Sequence, residues 1–371
     1  MSKAFTPLIA FDGSRDNNFT TIRIVLAWLV LYGHSYAIQK VPGIRDPLNE
    51  IFQGSIWVGE IAVNGFFAIS GFLVAASLIK RGVIDYTISR VLRIFPALIV
   101  CVFVSVFLLG PILTNLPLRD YFDDPKTWDY LGNAVAFLKM QWSLPGVFES
   151  NTRDAINGSL WTLTVEVRCY LLLAALTFLG FRLNRIWANT LVLLVFAAGV
   201  LSYESIPLLG TNLKWSRPAL YFIIGVFFYL NRDKVYLDWR IAIFAAVMAY
   251  FSFGQEWFDY VFPPALIYLL FYLAYATKPL STDSVFGDAS YGIYIYAWPV
   301  QQIVAQLFPG QTPYFNTIVS SVIVITLAWL SWHGLEKRVL TYKKVLLGHA
   351  SSKRSMMGVG GFLKGKAADS P

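Results

Sequence analysis

Charge is scarce in this chain. Of its 371 residues only 14% are Asp, Glu, Lys or Arg, whereas soluble domains carry about 25%. Cysteine is scarcer, with two residues, Cys101 and Cys169. Both fall in apolar runs, as packing residues do, so they suggest neither a disulfide framework nor a metal site, and no metal is expected. Histidine occurs three times, at positions 34, 333 and 349. A cleaved leader is not expected, because Asp12, Arg15 and Asp16 precede the first apolar run and no small-residue cleavage site comes after it. No internal repeat is visible, and no hydrophilic stretch is long enough for a second domain. Nucleic-acid binding is not expected either, since the net charge of +8 comes without a basic motif.

Apolar sequence is what the chain has instead. It is 56% hydrophobic and 16% aromatic, with a mean hydropathy of +0.56. Runs long enough to cross about 30 Å of hydrocarbon recur along its length. They are continuous, unlike the alternating segments of an outer-membrane barrel. The fold class is therefore all-α, a polytopic membrane bundle of ten transmembrane helices. The spans are predicted at 19–38, 56–79, 95–114, 159–180, 187–204, 218–230, 241–254, 259–276, 289–308 and 313–335, with 218–230 and 241–254 short. Residues 1–18 form an N-terminal segment, 19–340 the membrane domain and 341–371 a basic tail with disordered composition.

An even span count puts both termini on one side. Of the 30 Lys and Arg, 20 lie in the termini and the loops that share their side, and eight in the alternate loops. Arg23 and Arg168 remain inside spans. The positive-inside rule makes the richer side cytoplasmic, so both termini are expected inside the cell, with the bilayer of the inner membrane as surroundings. The longest outer loop, 115–157, holds an apolar stretch, YLGNAVAFLKMQW, that suits the interface.

Arg23 and His34 are the most informative pair. Eleven residues apart in the first span, they lie within about 20° of one face and roughly 16 Å apart along a helix axis. Ionisable groups within lipid are costly and by default mark a functional site. A guanidinium that grips an anionic cofactor, with an imidazole deeper in the same groove, suggests chemistry at a membrane. Arg90 and Arg93, three apart, share a face at the inner end of the bundle. They read as positive-inside anchors or as a phosphate clamp. Glu166 lies in an apolar helix near Arg168, as a buried ion pair or as a carboxylate that orients the imidazole or contacts an acceptor. Ser159 is expected to cap that helix, and Glu336 reads as a boundary charge. Gly65, Ser70 and Gly71 read as helix packing. Tyr294, Tyr296 and Trp298, beside Pro299, pack at the interface or line a cavity. His333 reads as an interface residue.

Seven pieces in order extend this reading. They are Arg23-x10-His34, FFAISGFL at 66–73, Arg90-x-x-Arg93 before Phe95-Pro96, LPGVFE at 144–149, NGSLWTLTVE at 157–166, SYGIYIYAWPV at 290–300, and SW…EK at 331–337. Together the chain resembles the acyltransferase-3 family of integral membrane acyltransferases, from residue 19 to about 340. It departs from the family pattern where Glu336-Lys337-Arg338 replaces Glu-x-Pro, at His333, and at Asn151–Asp154.

The resemblance implies transfer of an acyl group, most often acetyl, from acyl-CoA to a carbohydrate hydroxyl of a surface polysaccharide or a lipid-linked precursor. It implies Arg23, Arg90 and Arg93 at the donor phosphates, with Ser70 in the donor site. His34 then serves as general base or as carrier of a transient acyl group. Glu166 assists it or binds the acceptor, and Arg23 completes the set. The competing reading of the same charges is a transporter of a polar solute or lipid-linked sugar, which needs no CoA-sized basic mouth and often carries repeats.

Overall fold

The computed structural model describes residues 5–14, 16–135, 140–201, 213–280, 286–343 and 345–347. The tail from 348, with His349, and residues 136–139, 202–212 and 281–285 lie outside the described residues. A long helix covers each predicted span among the described residues. These are α1 (Phe19–Ile38), α2 (Val58–Arg81), α3 (Val83–Leu113), α4 (Leu160–Leu176), α5 (Arg185–Leu201), α6 (Leu213–Leu230), α7 (Trp239–Ser252), α8 (Phe258–Tyr275), α9 (Ser290–Leu307) and α10 (Pro313–Leu347). Five of them, α1, α2, α3, α8 and α10, are long and apolar enough to cross a membrane. The fold is an all-α membrane helix bundle. Its only strands among the described residues are a two-residue pair, Thr6–Pro7 with Tyr236–Leu237.

The third helix starts twelve residues before its predicted span. Hydropathy marks only its apolar part. The earlier turns, from Val83 to Ile94, carry Asp85, Arg90 and Arg93 and form the wall of a polar cavity. Pro96 sits within the helix rather than in its first turn.

Segments that charge sorting puts on one side touch one another. At this end, the terminal face, the N-terminal strand pairs with Tyr236–Leu237, Asp12 binds Lys80 and Arg232, and the Asn18 side chain reaches Thr277 and Lys278. On the other side, Gly254 N–H donates to Ser55, the Gln39 amide to the Phe308 carbonyl, and the Asn151 amide to Gln302. The expected interfacial stretch in the 115–157 loop begins as a 3-10 turn, Tyr130–Val135, with Tyr130 buried.

Close helix packing relies on small residues, as expected in lipid, where no hydrophobic force drives helices together. A Cβ on Gly71 would collide with the Phe222 carbonyl, and one on Gly225 with the Ala68 carbonyl. These reciprocal contacts lock α2 to α6 backbone to backbone. On the other flank Gly292 of α9 lies against Ala328 of α10. The result is a fixed frame in which α1, α2, α3, α4 and α9 face a common space.

Two π-helical turns interrupt long helices, Ser105–Leu109 in α3 and Trp332–Glu336 in α10. A π turn adds one residue to the helix and rotates the residues beyond it about the axis. Glu336 is thereby only 2% exposed. Its expected place as a boundary charge is corrected, because the rotated phase aims the carboxylate inward.

Candidate active site

A cavity of about 320 Å³ opens at the terminal face between α1, α2, α3, α4, the start of α9 and the end of α10. It brings together five of the six residues singled out from the sequence: Arg23, Ser70, Arg90, Arg93 and Glu166. His34 does not line it.

The cations on its walls are largely occupied. Arg23 Nη1 and Arg93 Nη2 each lie 2.8 Å from Asp288 Oδ2. Arg93 also reaches Glu336 at 3.3 Å, and Ser331 donates to that carboxylate at 3.0 Å. Ser290 donates to Asp288 Oδ1 at 2.8 Å. Burial alone would raise the Asp288 pKa, but Arg23 and Arg93 outweigh it and hold the carboxyl down at about 2. Removing one partner from such a network leaves a charge uncompensated in a low-dielectric site, which costs far more than the pair itself contributes. Asp288 and Glu336 are the site residues that sequence reasoning missed. Glu336 is signalled by the SW…EK piece at 331–337, whereas Asp288 has only its sign, an acid on a face rich in Lys and Arg.

Arg90 is held differently. Its guanidinium lies 5.7 Å from the centre of the Tyr170 ring, and its buried Nε has no hydrogen-bond partner. Tyr170 in turn donates to Glu166, which also accepts from Ser70 at 3.3 Å. Tyr170 is one turn beyond Glu166 on α4 (i, i+4), which is why the two side chains meet. Glu166 is thus tied to two hydroxyls inside the cavity, and through Tyr170 it fixes the platform under Arg90.

Thr162 and Tyr294, which hydrogen bond to each other beside Phe66, line the cavity. Trp298 lies four residues beyond Tyr294, so it stands on the same face of α9 about 6 Å higher. The edge of Trp298 meets the His34 ring at 4.7 Å between centroids, and Trp57 flanks the imidazole at 5.9 Å. His34 is 8% exposed. Both ends of the Arg23–His34 pair therefore meet the α9 segment, at Asp288 and at Trp298. The eight helical steps from Ser290 to Trp298 rise about 12 Å, and Asp288 lies two residues before them, comparable with the roughly 16 Å on α1.

Neutral hydrogen bonds fix this upper chamber. Trp298 Nε1 donates to the Ala155 carbonyl at 2.9 Å, and the Gln302 amide donates to Arg153 and Ala155 at 2.7 and 2.8 Å. Gln301 donates to Leu31 O at 2.8 Å and to Ser35 Oγ at 2.7 Å, and Asn316 donates to Gln301 O at 3.0 Å. Loop 151–155 is thereby fastened over His34. Ser159 does not cap α4 with its side chain, contrary to expectation; Asn157 Oδ1 instead accepts from the Ser159 amide at 3.1 Å. His333 Nδ1 lies 2.9 Å from the Trp329 carbonyl.

Residues 16–333 match the profile of the acyltransferase-3 family, an acyltransferase domain. The chain belongs to this family. It is 33% identical over 347 residues to an "O-acetyl transferase" of Shigella phage Sf6, covering 88% of this chain and 97% of that protein. It is 27% identical over 373 residues to "Nodulation protein 10" of Rhizobium leguminosarum bv. viciae, covering 91% of this chain and 96% of that one. No solved structure matches the chain. The protein is a membrane acyltransferase, and the charged cavity and the His34 chamber are the candidate parts of its active site. Among the described residues, no group of three His, Cys, Asp or Glu is placed to hold a metal ion.

Proposed function

We propose that the protein transfers an acyl group, acetyl in the first instance, from acyl-CoA to a hydroxyl of a carbohydrate. The acceptor is a surface polysaccharide or its lipid-linked precursor. The terminal face is cytoplasmic, in the inner membrane, and the donor enters there. One observation carries this reading: a cavity rich in guanidinium groups rises from that face to one helical turn below the Trp298–His34 contact. Guanidinium groups suit phosphates. The acetyl donor's phosphates stay low among the cations, and its pantetheine arm points the thioester upward.

Thr162, Tyr294 and Phe66 line the cavity, and on this reading the arm passes them toward His34 by rotation of those side chains. At the top, His34 takes the proton from the acceptor hydroxyl. The hydroxyl oxygen attacks the thioester carbonyl, the C–S bond breaks, and the imidazolium returns the proton to the departing CoA sulfur. In the relay form of the same chemistry the imidazole nitrogen attacks first, and CoA departs as the thiol with the ring's remaining N–H proton. The acceptor oxygen then attacks the acyl-imidazole, the C–N bond breaks, and the acceptor's proton restores the imidazole. Glu166 acts from below, by way of Tyr170, to hold Arg90 against the donor.

The test is transfer of labelled acetyl from acetyl-CoA into glycan, with membranes containing wild type or His34→Ala at equal expression. Label that the variant abolishes is the expected result. Equal label from both would refute the role of His34, and no label from either would refute acyl-CoA as donor.

A further inference from the structure

Two of the deep cations have carboxylate partners, and the rim of the cavity carries further positive charge. Arg23 and Arg93 share Asp288, and Arg93 also holds Glu336. At the opening lie two more cations, Arg81 at the end of α2 and Lys343 beyond the π turn of α10. Both address one carboxylate, Asp85, with Lys343 Nζ at 2.9 Å and Arg81 Nη1 at 3.7 Å. Two positive charges against one negative leave the rim electropositive. Lys343 reaches it because α10 continues past Glu336 without a proline, through Lys337–Thr341, so the helix carries Leu340 and Lys343 to the opening. Lys343 is 19% exposed, poised between protein and water.

The two tiers are well separated. Ser70, which bonds Glu166 deep in the cavity, and Arg81 at the rim are eleven residues apart on α2, or about 16 Å along its axis. A ligand that satisfies both tiers carries anionic groups at two points. Resting on the acyl-CoA reading of the cavity, we propose that Lys343 and Arg81 form a rim site for the terminal phosphate monoester of the donor, the 3′-phosphate on its ribose. The deeper tier around Arg90 is left for the pyrophosphate. Asp85 holds the rim cations in place when no donor is bound and yields them to the more highly charged phosphate.

The experiment measures kcat and KM for acetyl-CoA and acetyl-dephospho-CoA with wild type, Lys343→Ala and Asp85→Asn. Wild type should show a higher KM for the dephospho donor. Lys343→Ala should raise KM for acetyl-CoA about five- to tenfold, the range for a partly exposed charge-assisted contact, and leave kcat and the KM for acetyl-dephospho-CoA unchanged. Asp85→Asn frees the rim cations and should hold or lower KM for acetyl-CoA. If Lys343 and Asp85 only latch the end of α10, both variants should raise KM for both donors alike, and that result overturns the proposal. Equal use of the two donors by wild type also overturns it, while leaving acyl transfer from CoA thioesters intact. Failure of wild type to use either donor defeats the acyl-CoA reading itself, and the rim assignment with it.

Discussion

The lower cavity and the chamber over it are built from opposite materials. The cavity gathers Arg23, Arg81, Arg90, Arg93 and Lys343 around Glu166 and Asp288. The chamber encloses one imidazole with two indoles and a set of amides and carbonyls. On the proposed function, keeping the two apart lets strong anion binding coexist with a base. On that proposal the division is between binding and chemistry, and a substitution on either side of it should disturb one and spare the other.

The largest effect belongs to the chamber. His34→Ala should lower kcat by about three orders of magnitude, the loss of a general base, with normal folded yield in labelled-acetyl assays and detergent gel filtration. In the cavity, Asp288→Ala strands Arg23 and leaves Arg93 with Glu336 alone. It should cost about 2 kcal/mol, less than a fully buried pair because these side chains keep some solvent. A lower thermal unfolding midpoint in detergent would register it, with Asp288→Glu recovering part. Midpoints equal to wild type would show the network to be dispensable.

Smaller effects sharpen the boundary. Gln302→Ala releases the loop carbonyls of Arg153 and Ala155. It should cut kcat about tenfold, in line with a positioning defect worth about 1 to 2 kcal/mol, and leave the donor KM alone. A change in donor KM instead would move Gln302 to the binding side. The smallest expected effect is a null. The Asp288 pKa is lowered from 3.8 to about 2, so its stabilising contribution is complete above the unfolded value and fades only as pH falls toward 2. Stability between about pH 5 and 8 should therefore be the same pH function in Asp288→Asn as in wild type, offset but parallel. Divergent pH–stability curves in that range would contradict the assignment.

Much of this is legible in the sequence. Hydropathy locates every long helix, and the spacing of Arg23 and His34 puts both toward one neighbour, α9. The partners are harder to see. Glu336 turns inward because a π turn shifts its phase, and a 3.6-residue period cannot register that. Asp288 belongs to a loop, where periodicity says nothing, and its two arginines come from helices far apart in the chain. The amides Gln301, Gln302 and Asn316 look like stray polar residues until the fold joins them. Closeness in sequence pairs Glu166 with Arg168. The hydrogen bond from Tyr170, one turn away, follows the helical repeat rather than sequence adjacency.

The most direct test is equilibrium binding of CoA to purified wild type, His34→Ala and Arg90→Ala in detergent. If binding and chemistry are separate, His34→Ala binds CoA as wild type does, and Arg90→Ala binds it at least about tenfold more weakly, as expected for a lost charge-assisted contact of about 1.5 kcal/mol or more. Weakened binding in His34→Ala together with unchanged binding in Arg90→Ala would contradict the account.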